Sequence, residues 1–88
     1  MPRTDVRLIH PHGLHARPAA MFSMTASGFS CDVKVSKNGR IVNGKSVISL
    51  IGLDCRTGDQ VCIITSGVDE DDALEQLAEL LEKGLDGG

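Results

Sequence analysis

The octet "GLHARPAA", Gly13–Ala20, gathers residue types that could do nucleophilic chemistry on an anionic group. Pro18 is tolerated only in the first turn of a helix, where its missing N–H is not needed. That places a helix start at about His15 or Ala16. The imidazole of His15 then lies close to the unpaired N–H groups of the first turn, which form a ready anion site. Arg17 adds a permanent positive charge and a fork of donors suited to phosphate oxygens. The same field disfavours imidazolium, so His15 is expected to be neutral and nucleophilic near pH 7. A neutral imidazole attacks phosphorus, and the group it gains would land among N–H donors and a guanidinium. Gly13 would let the loop approach closely, with no side chain in the way.

Elements of two periodicities must position this octet. "DVRLI" (Asp5–Ile9) alternates, with Val6 and Leu8 on one face, and reads as a strand. Ala16–Gly28 reads as a helix stopped by Gly28, with Ala19, Phe22, Ser23 and Ala26 on its packing side. Cys31–Lys37 alternates again: Cys31, Val33 and Val35 point one way, Asp32, Lys34 and Ser36 the other. Asn38–Gly39 is the tight hairpin signal, and "RIVN" is the returning strand. Lys45–Asp54 is expected to be a short apolar helix starting at Ser46. Gln60–Ser66 is a strand with Val61 and Ile63 opposite Cys62 and Ile64. The last helix begins among acidic residues, where the helix dipole favours them. Its apolar stripe is expected to be Leu74, Leu77 and Leu81, with Ala73, Ala78 and Leu80 beside it. Gly84 stops it, and 84–88 is expected to be a frayed tail.

The order β-α-β-β-α-β-α predicts an α/β (α+β) two-layer sandwich on an antiparallel sheet, because helices can cover only one face of so small a sheet. At 88 residues, 1–88 is expected to be a single domain. With two Phe and no Trp or Tyr, its core must be aliphatic. A net charge of −3 and the absence of a basic run argue against a nucleic-acid partner. No apolar run approaches the length of a membrane span and no leader pattern opens the chain, so a cytoplasmic location is expected. Cys31, Cys55 and Cys62 make an odd set without C-x-x-C spacing, so packed, reduced thiols are expected rather than a disulfide or zinc framework. "HPHGLH" holds three histidines in six residues. No carboxylate or thiol completes a ligand set there, so no metal site is expected.

Ser46 precedes "VISLIGL" and reads as an N-cap. The helix after it is apolar nearly all round. Leu50 and Leu53 suit the core face, and Val47, Ile48 and Ile51 then point outward as a contact surface.

Four stretches carry a family resemblance: "GLHARPAA", "NGKSVISLIGL", "GDQV" and "GVDEDDAL". Their sequence and spacing resemble HPr, the histidine-containing phosphocarrier of the bacterial sugar phosphotransferase system, over nearly the whole chain. The resemblance implies a four-stranded antiparallel sheet with three helices on one face. It implies that His15 accepts a phosphoryl group on Nδ1 from phosphorylated Enzyme I, which takes it from phosphoenolpyruvate. His15 would then pass the group to a histidine of a sugar-specific IIA component, with Arg17 stabilising it in transfer. No cofactor is implied beyond that covalent phosphoryl group, and the protein is expected to be a carrier rather than an enzyme, and a monomer. Ala16, Arg17 and Ala20, with Val47, Ile48 and Ile51, match the patch that docks Enzyme I and IIA. Ser46 matches a serine that an ATP-dependent HPr kinase/phosphorylase modifies in many low-GC Gram-positive bacteria, creating a surface that a catabolite repressor engages.

Three positions depart from the pattern. His12 stands where the family often has a small polar residue, and Met24 and Ser27 stand where many relatives are basic. Two other roles fit the same resemblance: a regulatory HPr-like protein acting mainly through Ser46, and a paralogue in a nitrogen-related phosphorelay. A purely regulatory relative could dispense with His15, whose presence favours the carrier.

Overall fold

In a computed structural model of the chain, residues 2–8, 16–56 and 58–83 are described here. The elements run β1 (Arg3–Arg7), α1 (Ala16–Ser27), β2 (Asp32–Lys37), β3 (Arg40–Asn43), α2 (Val47–Gly52), β4 (Gln60–Ser66) and α3 (Glu70–Lys83). The order is the expected one, with small shifts in extent, β2 beginning at Asp32 rather than Cys31 among them. The first strand begins two residues earlier than Asp5, and the second helix is shorter than Lys45–Asp54. The expected tail at 84–88 lies outside the described residues.

The four strands form one antiparallel sheet in the order β1-β4-β2-β3. The last strand therefore enters between the first and second. Register puts Val6, Val61, Ile63, Thr65, Val33 and Val35 on one face, all buried. The three helices cover that face, and Arg3, Asp5, Arg7, Lys34 and Ile41 lie exposed on the other. Phe22, Leu50, Leu77 and Leu81 complete a core whose aliphatic character follows from the scarcity of aromatics. The β2–β3 hairpin turns at Asn38 (φ 52°) and Gly39 (φ 85°), the paired positive dihedrals of a type I′ turn.

The seam of α3 is corrected. Ala73, Leu77 and Leu81 are the buried row, spaced four apart, while Leu74 is only half-buried beside it. A four-residue row slants across the helix and follows the twist of the sheet beneath it. All three cysteines are free and buried. Burial pushes the Cys55 thiol up to about 11, so it stays protonated and unreactive at neutral pH.

Asp69, just before α3, ties that helix to the α1–β2 connection. Its carboxylate accepts from the N–H groups of Ser30 and Cys31, both at 2.8 Å. The Ser30 bond foremost, helped by Cys31, holds the carboxyl below its ordinary value. A lowered folded-state pKa contributes stability that is fully present above the unfolded value and lost as pH falls through the folded one. Asp69→Asn should therefore lower the denaturant midpoint at neutral pH, with the gap to wild type closing in acid. Denaturant titrations of both proteins across the acid range check this; a gap independent of pH would refute it.

Candidate functional site

The first helix begins at Ala16, the residue after His15, and Pro18 is its third residue, buried within the first turn. The first-turn position expected of the proline is the observed one. Its ring costs the helix no hydrogen bond there. His12 and His15 lie outside the described residues, as do the side chains of Ala16 and Arg17. Arg17 is the second residue of α1, and Ala20, one turn on from Ala16, is half-buried.

In the chain, Leu8, at the end of β1, lies seven residues before His15. That strand end is fastened to the turn before β4: Leu8 N–H donates to Asp59 O at 2.9 Å and Gly58 N–H to Leu8 O at 2.8 Å. The Arg7 guanidinium adds a bond to Gly58 O at 3.1 Å.

Ser46 is the N-cap of α2, with extended backbone, and its Oγ accepts from Ser49 N–H at 3.3 Å. Leu50 N–H closes the first helical bond on Ser46 O. Leu50 and Leu53 face the core as expected. Of the three residues expected to point outward, Ile48 is 83% exposed and Ile51 41%. Val47 is a correction: it is half-buried and packs against the core. Helical geometry explains it, because Val47 and Leu50 are three apart and share a side of the helix.

The packed pair α1 and α2 exposes further apolar atoms. Met24 is 72% exposed and Met21 40%, on the side of α1 away from Ala19, Phe22 and Ala26. Met21 was not anticipated; its place one residue before the packing position Phe22 is the signal that could have found it. Two contacting helices thus each leave apolar side chains in solvent. Among the described residues no group of three His, Cys, Asp or Glu could hold a metal ion. None of their helices is long and apolar enough to cross a membrane.

The family model for the "PTS HPr component phosphorylation site" matches residues 2–83. The chain belongs to the HPr family, a family of phosphocarrier proteins. It is 43% identical over 81 residues to the HPr-like protein Crh of Bacillus subtilis (strain 168), covering 92% of this chain and 93% of that one. Its fold is similar to crystalline HPr-C-His of Thermoanaerobacter tengcongensis, with a TM-score of 0.91, 37% identity, and coverage of 94% and 93% of the two chains. That HPr likeness agrees with the observed four-stranded antiparallel sheet and three helices. Crystalline selenomethionyl Crh of B. subtilis is also similar, with a TM-score of 0.77, 41% identity, and coverage of 94% and 95%. That Crh is described as a dimer with a swapped domain. The expectation of a monomer finds no support there.

Proposed function

We propose that this chain is a phosphocarrier of the sugar phosphotransferase system that works through His15. The Nδ1 lone pair would form the N–P bond as the bond from phosphorus to Enzyme I breaks. Transfer to a IIA histidine is the same exchange in the opposite sense, so the carrier returns unchanged. Arg17 and the N–H groups of the first turn of α1 would hold the phosphoryl oxygens. The observation that carries this reading is an intact "GLHARPAA" octet in a chain that the HPr phosphorylation-site model spans from residue 2 to 83. Such a carrier works in the cytoplasm, where phosphoenolpyruvate and Enzyme I are. Incubation with phosphoenolpyruvate and Enzyme I should add one phosphoryl mass to the intact protein. No mass gain would overturn the proposal.

The partners would dock on the exposed aliphatic side chains of α1 and α2. Ile48→Ser should leave the melting temperature nearly unchanged, because substitution of so exposed a side chain shifts stability by only about 0.5 kcal/mol. If Ile48 is a docking hot spot, the loss is on the order of 1–2 kcal/mol of binding, or roughly a five- to thirtyfold higher KM for Enzyme I. Steady-state transfer assays measure this. An unchanged KM would remove Ile48 from the docking surface.

The likeness to Crh favours a second, compatible role in regulation through Ser46. An N-cap serine can carry a phosphate without disrupting its helix, while the surface beside Ile48 turns anionic. Its writer would be an ATP-dependent HPr kinase/phosphorylase and its reader a catabolite repressor. Ser46→Asp should fold normally and accept phosphoryl from Enzyme I more slowly. Equal rates at physiological salt would refute that effect. The nitrogen-related phosphorelay uses the same histidine and differs only in partners; a panel of sugar and nitrogen IIA acceptors separates the two.

A further inference from the structure

We infer that Lys37 is a positioning residue for this carrier, because its ammonium fastens the end of α2 and the turn before β4, which holds Leu8, to a single point on β2. The inference rests on the proposed phosphoryl-transfer role and adds the device that positions the proposed docking helix α2 against the sheet.

Lys37 follows Val33 and Val35 at the two-residue period of β2, so it starts on the helix-covered face of the sheet. Its stem runs along that face and leaves the side chain only 17% exposed. The ammonium then reaches two acceptors. It donates to Asp54 O at 2.7 Å and contacts Asp59 Oδ2 at 2.9 Å. Asp54 is the first residue beyond the C-cap of α2, in the left-handed region (φ 55°), and its N–H donates to Ile51 O. Asp59 belongs to the turn that grips Leu8, seven residues before His15 in the chain.

One cation therefore sits between the helix that presents Ile48 and Ile51 and the turn that anchors the strand leading to His15. Asp59 Oδ2 also accepts Arg56 N–H at 2.9 Å, which keeps the turn closed around the carboxylate. Asp59 is held below its ordinary pKa, first by that N–H and then by Lys37, so it stays anionic as the partner of the ammonium. Arg40 adds a long bond to Gly52 O at 3.4 Å, so two cations from the β2–β3 hairpin meet the C-terminal end of α2, where the helix dipole favours positive charge. The nearby Arg56–Asp54 pair is different: both side chains are over 70% exposed, at 3.5 Å, the kind of ion pair that contributes almost nothing.

The test compares Lys37→Met, Lys37→Arg and the control Arg56→Gln in steady-state transfer from Enzyme I, with amide hydrogen exchange on each protein. Lys37→Met should raise the KM for Enzyme I roughly three- to tenfold and leave kcat within about twofold, the size of effect expected of a coupling residue outside the contact. Lys37→Arg should restore most of the KM, and Arg56→Gln should behave as wild type. In Lys37→Met the amides of Leu53 and Asp54 should exchange faster together with those of Leu8 and Gly58, while Leu77 in α3 is unaffected. A lower melting temperature with an unchanged KM would make Lys37 a structural brace and overturn the inference. A wild-type protein that gains no phosphoryl group would instead overturn the proposed function, and the positioning role with it.

Discussion

His15→Ala should abolish phosphoryl uptake from Enzyme I, leaving the intact mass unchanged where the wild type gains one phosphoryl group. The expected loss is complete because the nucleophile forms the bond itself, and neither an arginine nor backbone donors can substitute for its lone pair. The wild-type adduct should be acid-labile and base-stable, as a phosphoramidate is. His10 and His12 share the same short segment, so the alanine variant also tests them as alternative acceptors. A phosphoryl mass retained in His15→Ala would reassign the acceptor. Arg17→Ala should slow transfer without abolishing it, since its proposed role is to hold charge that the first-turn N–H groups would also meet.

Phe22→Ala should have the largest effect on stability, about 3–5 kcal/mol for removing a fully buried aromatic side chain. A chain of this length has roughly 4–13 kcal/mol to lose, so the variant should lie near the edge of folding. The site offers little room to collapse. A Cβ placed on Gly44 would stand 3.2 Å from Phe22 Cε1 and 2.6 Å from Val33 Cγ1, so the ring already lies against the backbone that follows β3. Gly44 N–H is also held by Val33 O at 2.8 Å, which keeps that backbone from moving in. Phe22→Leu retains most of the apolar volume and should cost well under the alanine change. Denaturant unfolding of both variants checks this. A loss below about 1 kcal/mol for Phe22→Ala would mean that the neighbouring helices close the cavity.

The lesson of the helices differs from one to the next. At α1 the sequence signals were local and sufficient: Pro18 restricts where the helix can begin, and Gly28 ends it. At α2 the N-cap at Ser46 was equally legible, but the division of its apolar residues was not. Six residues span less than two turns, and Val47 lies between the buried and the exposed side. Where α2 lies against α1 and the sheet decides how much of it is covered. At α3 the composition announced an amphipathic helix, while the buried row proved to be Ala73, Leu77 and Leu81. Leucine content overstated Leu74, because small Ala73 can approach the sheet more closely than a leucine.

Local rules in the chain were enough for the order of the elements, the tight hairpin at Asn38–Gly39, the aliphatic core, and the octet on which the proposed chemistry rests. Each of these rests on short-range rules: proline's missing N–H, glycine's freedom at positive φ, and the period of two or 3.6. Long-range packing set the strand order and everything that depends on it. The near-continuous apolar run of β4 at Val61–Ile64 suits a central strand, but no local rule says which strands flank it. Its insertion between β1 and β2 brings Gly58 and Asp59, in the turn after α2, to Leu8 at the end of β1. Lys37, Asp54 and Asp59 are separated by up to 22 positions in the chain, and only pairing across the sheet makes one ammonium their common partner. Hydrogen bonds of that range depend on where the backbone travels, and that path is fixed by burial of the whole core rather than by the residues at either end.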